Sequence, residues 1–317
     1  MMATELPHTP VMLERITELL AHAPAGPTLD GTLGAGGHAR AVLVARREEH
    51  GEATLIGIDR DPDALALAGA RLADLRDGVV LHLAQARFDT FGDVLDGLGI
   101  ERVSGFLLDL GISSMHVDRA ERGFSYRQDG PLDMRMGPDA PRTAEEVVNT
   151  YEQRELTRII RVYGEDKNAS RIARAIVAKR PHHSTVALAE IIRDAIPQAA
   201  RRTGGHPATK TFQALRIEVN GELEALELAL PALVDRLATG GIGVTLAYHS
   251  LEDRIVKRAF ADAAQECNCP PNFPVCACGR VPIVSHVVRR PERPSPEEIA
   301  RNPRASAARL RAVRRLA

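Results

Sequence analysis

The stretch Pro27-Thr28-Leu29-Asp30-Gly31-Thr32-Leu33-Gly34-Ala35-Gly36-Gly37-His38 leaves a chain few ways to fold. A short apolar run ends in an acid, a loop of small residues follows, and Ala39 to Arg47 then carries helical spacing. Strand, glycine loop and helix in that order form a phosphate or nucleoside cradle at the edge of an α/β sheet. Glycines also mark ordinary tight turns, so the loop alone decides little. Its partner adds more. Ala53-Thr54-Leu55-Ile56-Gly57-Ile58-Asp59 is a second acid-ended strand, at the distance expected of a nucleoside-binding βαβ unit.

The alternation continues. Arg60-Asp61-Pro62-Asp63 opens a helix, with Pro62 in its first turn and the acids at the positive end of its dipole. Val79 to Leu83 reads as a third strand with Phe88 just beyond it, and Val94, Leu95 and Leu98 mark a short helix closed by Gly99. Val103 to Leu110 is nearly all apolar, as a central parallel strand should be, and contains Asp109 near its end. The first third is therefore a doubly wound sheet.

Then the pattern changes. Val117 to Met136 is polar, and helices are predicted over 143–163 (opened by a Thr143-x-x-Glu146 capping box), 169–179, 186–196, 208–219 and 222–237. The next strand, Ile242 to Tyr248, comes about 130 residues after the fourth, where an ordinary crossover needs roughly 10 to 30. A helical insert explains the gap. The expected division is a sheet domain over 1–116 and 214–317 and a mainly helical domain for substrate recognition over 117–213. His8 to Leu20 reads as an entry helix, and 281–288 and 307–313 as the last strands. His249 to Lys257 follows the fifth strand; Ser250 and Asp253 have capping-box spacing, which leaves Tyr248-His249 unexplained.

Composition sets limits. A chain with 44% hydrophobic and 26% charged residues and no apolar run near 18 residues reads as soluble and globular. Its start lacks a basic region followed by an apolar one, so a cytoplasmic location is expected. Net charge is -1, and a nucleic acid would have to be met by a local basic surface. The arginines from Arg289 to Arg315 are one candidate, with a solvated tail as the alternative. Phe124 and Tyr126, flanked by Arg122 and Arg127, suit base stacking and phosphate contact, or else close a small core. Cys267, Cys269, Cys276 and Cys278 cluster in a Pro-rich stretch where disulfides are not expected. Four thiols can hold zinc, but their one-residue spacing is tighter than usual; whether they bind a metal is left open and no metal ligand is assigned.

The cradle's ligand can be narrowed. Walker-type phosphate binding needs Lys and Ser or Thr after the glycines, and Gly37-His38-Ala39 stands there instead. Gly34-x-Gly36-Gly37 has only half of a dinucleotide fingerprint. S-adenosylmethionine fits better: Asp59 serves the ribose hydroxyls, small or acidic neighbours tolerate a sulfonium, and no phosphate calls for a basic group. Leu237 to Gly241 also looks like the loop before the fifth strand of class I methyltransferases.

Several strings are more specific. His8-Thr9-Pro10-Val11-Met12-Leu13, Asp30 to His38, Gly57-Ile58-Asp59-Arg60-Asp61, Leu108 to Ser114, Arg122-Gly123-Phe124-Ser125 and Gly130 to Met136 occur together. Tyr163-Gly164-Glu165, His206-Pro207-Ala208-Thr209, Thr211 to Ile217, His249 to Lys257 and Asn302-Pro303-Arg304 continue the set. The chain resembles, nearly end to end, the bacterial ribosomal RNA small subunit methyltransferase H family, also called MraW. The resemblance implies a class I S-adenosylmethionine-dependent methyltransferase, a Rossmann-like doubly wound sheet with an inserted helical domain. It implies methylation of the exocyclic N4 of a cytidine in the peptidyl site of the decoding centre of 16S rRNA. The partner implied is 16S rRNA within the small ribosomal subunit, with no membrane; a homodimer is left open. The cofactor residues carried over are Gly36, Gly37, His38, Asp59, Phe88, Asp109 and His116. The family has Gln where His116 stands, and a neutral imidazole cannot both donate and accept as an amide does.

Cytosine N4 is a poor nucleophile because its lone pair is delocalised into the ring. It must be held in line with the sulfonium carbon, and an acceptor for one N–H helps it lose planarity. Asp109 is the first candidate for that acceptor or for the methionyl amine's partner, and His249 the second; loop orientation and core packing are their structural alternatives. Two other classes stay open. A nonenzymatic RNA-binding assembly factor would fail a cofactor titration, and a nicotinamide-dependent oxidoreductase would prefer NAD to S-adenosylmethionine.

Overall fold

A computed structural model of the protein describes residues 9–198, 206–267, 269 and 278–317; His8 and Cys276 lie outside the described residues. Seven strands form one sheet: β1 (Pro27–Asp30), β2 (Ala53–Asp59), β3 (Val79–Gln85), β4 (Val103–Asp109), β5 (Leu237–Ala247), β6 (Val284–His286) and β7 (Arg309–Arg315). Their spatial order is β3-β2-β1-β4-β5-β7-β6. Pairings from β3 to β5 are parallel, and β7 runs antiparallel to both neighbours. This is a doubly wound sheet, as the resemblance implies, with an antiparallel β7 between β5 and β6. The order reverses between β1 and β4, which places the carboxyl ends of those two strands side by side at the topological switch point.

Strand choice follows burial. β4 is buried from Val103 to Leu108, as a strand covered on both faces must be. Phe106 pairs with Gly243 across β4 and β5, and a Cβ on Gly243 would stand 2.4 Å from the Phe106 ring. Only a bare backbone leaves room for that ring. β5 begins at Leu237, so the 237–241 segment read as a loop is strand. Three extra residues of β5 are absorbed there, since Val103 pairs with Leu237 and Gly105 with Ile242.

The chain divides into two compact units, Met1–Gly111 with Leu223–Ala317, and Ile112–Glu222. Around the sheet of the first unit lie α1 (Leu13–Ala21), α2 (Gly37–His50), α3 (Pro62–Leu72) and α4 (Phe91–Gly97). Asp61 caps α3 through the Asp63 N–H at 3.0 Å, and Pro62 occupies the first turn. The buried Arg46 of α2 donates to the carbonyls of Leu20, Pro24 and Gly26 and to Ser104 Oγ, tying three chain segments together.

The second unit contains α5 (Ser114–Asp118), α6 (Ala144–Thr150), α7 (Gln153–Val162), α8 (Ala169–Ala178), α9 (Thr185–Ala195) and α10 (Thr209–Asn220). Leu132, Met134, Val147, Ile159, Ile172, Leu188 and Leu215 belong to its own apolar core. The single helix expected over 143–163 is two helices. Tyr151 is extended (φ -61°, ψ 141°), and Glu152 starts α7 with its own capping box to Glu155. The chain returns through α11 (Glu222–Asp235), and α12 (Ser250–Ala263) and α13 (Pro296–Arg301) follow. Among the described residues no helix is long and apolar enough to cross a membrane.

Candidate active site

The glycine loop is held by the strand that follows it. Asp59, at the end of β2, accepts from the Gly34 N–H at 2.8 Å through Oδ2 and from the Asp61 N–H at 2.9 Å through Oδ1. Gly36 caps α2 at φ 74°, where a side chain would be strained, and a Cβ on Gly37 would lie 2.5 Å from Pro10 Cγ. The loop is therefore built on backbone, with Asp59 as its anchor.

Asp109, at the end of β4, is held by side chains instead. Tyr248 donates its hydroxyl to Asp109 Oδ1 at 2.9 Å, and His38 Nδ1 stands 3.5 Å from Oδ2. The backbone N–H of Asp109 donates to Thr32 Oγ1 at 2.6 Å, and His38 Nε2 lies 3.0 Å from the Val11 carbonyl. Burial pushes the Asp109 carboxyl above its ordinary range, partly offset by His38 and by the Tyr248 hydrogen bond. Burial, with the nearby Asp109 charge, pushes the Tyr248 hydroxyl far up, so it stays a neutral donor.

Asp30 is the third acid at this edge. It ends β1, is buried, and accepts from the Thr32 N–H at 3.1 Å. Burial raises its carboxyl to about 7, and the charges of Asp109 and Asp59 push the same way. Three carboxylates thus converge on the ends of β1, β2 and β4. Such a set of acceptors suits a ligand with ribose hydroxyls and positive charge, and S-adenosylmethionine has the hydroxyls on its ribose and the charge on its sulfonium and ammonium groups. Phe88, immediately past β3, offers a half-buried ring beside this edge; a Cβ on Gly31 would meet its Cβ at 3.3 Å.

The remaining expected residues are placed differently. His116 lies in the helical unit, buried and stacked on Phe124 at 4.9 Å between centroids. Phe124 is core, which removes it as a base-stacking surface. Tyr126 stacks on His206 at 4.4 Å and bonds Thr209 Oγ1 at 2.8 Å. Arg122 donates to the carbonyls of Arg135 and Met136. Local packing uses these side chains.

His249, rather than Ser250, caps α12. Its Nδ1 accepts from the Glu252 N–H at 3.4 Å, Nε2 lies 3.1 Å from Glu252 Oε1, and Glu252 Oε2 accepts from the backbone N–H of both Tyr248 and His249. Asp253, read as the other half of a Ser250 box, instead pairs with Arg309 at 2.9 Å and Arg311 at 2.8 Å. Those two arginines are consequently sheet fastenings and not part of a solvated basic tail. Sequence reading passed over Tyr248, Thr32 and Asp30 as site residues. The available signals were a hydroxyl-bearing aromatic at the end of a strand and an acid opening the glycine loop.

The sequence profile of the MraW methylase family matches residues 5–316. A ribosomal RNA small subunit methyltransferase H of Saccharopolyspora erythraea is 54% identical over 98% of this chain and 93% of its own length. Its counterpart in Heliobacterium modesticaldum is 50% identical over 98% of both chains. Among solved structures, an rRNA methylase from Streptococcus thermophilus is a distant likeness, with 10% identity, a TM-score of 0.42, and coverage of 96% of this chain and 94% of that one. With a match that runs from the entry segment through the last strand, the chain belongs to the MraW methylase family of S-adenosylmethionine-dependent methyltransferases.

Proposed function

We propose that this enzyme methylates the exocyclic N4 of a cytidine in the peptidyl site of the decoding centre of 16S rRNA, acting on the small ribosomal subunit in the cytoplasm. The family relatives support the substrate class, being small subunit rRNA methyltransferases by name over nearly the whole chain. The observation that carries the chemistry is Asp109, a carboxylate of raised proton affinity at the end of β4, fixed by the Tyr248 hydroxyl with His38 Nδ1 3.5 Å away.

Bound S-adenosylmethionine supplies an electrophilic methyl on a cationic sulfur. Asp59 would hold the ribose hydroxyls at the end of β2, and Phe88 would take the adenine. Gly36, Gly37 and His38 shape the floor, and His116 enters the set by resemblance alone. Asp109 accepts an N4 proton as the nitrogen loses planarity, and its raised proton affinity suits that task. Tyr248 keeps the acceptor oriented. His249, whose Nδ1 accepts from the Glu252 N–H and whose buried Nε2 makes no hydrogen bond among the described residues although it lies 3.1 Å from Glu252 Oε1, is assigned the helix cap.

RNA needs cationic surface that the whole chain, at net charge -1, does not supply. Arg154, Arg158 and Arg161 recur at helical spacing and line one shallow depression on α7. We assign this helical unit the role of substrate recognition. The decisive experiment is mass spectrometry of 16S rRNA nucleosides from cells with and without the gene. N4-methylcytidine should disappear from the decoding-centre fragment, and its persistence would end the proposal.

A further inference from the structure

Beyond α12 the chain gathers thiols. The Sγ atoms of Cys267, Cys269 and Cys278 lie within 4.8 Å of one another, and those of Cys267 and Cys278 are 3.8 Å apart. A disulfide would need about 2.05 Å. Two thiolates on one tetrahedral zinc, each about 2.3 Å from the metal, are separated by about 3.8 Å. The Cys267–Cys278 sulfur spacing is thus that of a tetrahedral edge.

The backbone around these thiols is fixed in the manner of a metal knuckle. The Cys269 N–H donates to Cys267 Sγ at 3.3 Å, a contact that favours the thiolate. Gln265 Nε2 holds the Cys267 carbonyl at 2.6 Å, and Arg280 Nε in turn holds the Gln265 carbonyl at 3.1 Å. Arg280 also pairs with Asp262 of α12 at 3.0 Å, and the Ile283 N–H reaches the Ala263 carbonyl at 2.8 Å. Both ends of the thiol-bearing segment are therefore clamped to the same helix. Gly279 follows Cys278 at φ 60°, turning the chain immediately after the third sulfur.

We propose that Cys267, Cys269 and Cys278 bind zinc as thiolates, forming a structural clip between α12 and β6. Soft thiolates select zinc over magnesium or calcium, and binding releases the thiol protons to solvent. Three thiolates leave one position of the tetrahedron for a further donor. Cys276 is the sequence candidate, outside the described residues, and solvent is the other.

The full chain, purified under reducing conditions and supplied with zinc, should hold about one zinc per molecule after desalting. Cobalt in its place should give the near-ultraviolet thiolate-to-metal charge-transfer band. Removing zinc with a chelator should lower the melting temperature, and zinc but not magnesium should restore it. Cys267→Ser, Cys269→Ser and Cys278→Ser should each lose the stoichiometric metal. Loss in Cys276→Ser as well would add a fourth thiolate, and retention there would leave solvent as the fourth donor, both consistent with the three-thiolate core. Wild-type protein without stoichiometric zinc, or zinc retained in all three single variants, overturns the proposal. The wild-type measurements decide even if a variant fails to fold.

Discussion

Two acids end parallel strands of the same sheet, and the protein uses them differently. Asp59, at the end of β2, is bonded to backbone N–H groups at Gly34 and Asp61. Asp109, at the end of β4, is bonded by the hydroxyl of Tyr248 and approached by the imidazole of His38. Backbone donors stabilise a carboxylate and lock a loop, which suits a binding group. Side-chain donors leave a carboxylate whose proton affinity can be tuned and whose partners can change during a reaction. The strand end supplies the position, and the type of donor supplies the task.

Replacing each acid should break the comparison most severely. Asp109→Asn keeps the volume and an acceptor for Tyr248 but loses the base, so turnover should fall about 10²–10⁴-fold while cofactor affinity changes little. Single-turnover methyl transfer beside calorimetric cofactor binding checks this; a loss below tenfold would remove Asp109 from the chemistry. Asp59→Ala should act the other way round. It strands the Gly34 and Asp61 N–H groups and removes the ribose acceptor, weakening cofactor binding about 10- to 100-fold and costing roughly 1–3 kcal/mol of stability. At saturating cofactor its turnover should recover. A variant with normal affinity and low turnover would show that the two roles had been exchanged.

Much of the sheet was legible because β2 and β4 carry their own signals, an apolar run closed by an acid. Asp109 could be picked out for the same reason. Its partner could not. Tyr248 reaches Asp109 because β5 pairs with β4 in the register Asp109 to Leu246, and that register follows from packing such as Phe106 on Gly243. The cap of α12 was misread because Ser250-x-x-Asp253 and His249-x-x-Glu252 share one spacing, one residue out of phase. The reciprocal bonds between His249 and Glu252 and the Arg309 and Arg311 pairs on Asp253 separate the two frames. Phe124 shows a further limit: an aromatic between arginines reads as a stacking surface until a complete core is seen to include it.

Tyr248→Phe sharpens the comparison by changing only the donor on Asp109. The hydroxyl's hydrogen bond lowers the Asp109 carboxyl, so its loss should move that carboxyl further up. Less of the acceptor is then ionised at a given pH. Turnover near neutrality should fall about tenfold, in line with one lost hydrogen bond to a charged group, and the acidic limb of the rate profile should move to higher pH. A uniform loss across the pH range would show that Tyr248 only packs.

The most gradual effect concerns Asp30, the acid between the other two. Folded, its carboxyl keeps its proton to about pH 7, against an ordinary value of 3.8. Between those values the folded chain binds more protons than the unfolded one. The contribution is therefore fully present below about pH 4 and is lost as pH rises through about 7, by a few kcal/mol at most. Asp109, raised for the same reason, adds in the same direction. Urea unfolding of the cofactor-free protein should show stability from this edge decreasing from pH 5 to pH 8, and Asp30→Asn should flatten that slope while keeping an oxygen for the Thr32 N–H. Cofactor affinity should run oppositely, rising as Asp30 ionises and weakening below pH 7, because the ionised acid attracts positive charge. S-adenosylhomocysteine, lacking the sulfonium, should show the weaker pH dependence. Equal slopes for the two ligands would place the sulfonium's counter-charge elsewhere, leaving Asp109 as the acid to test next.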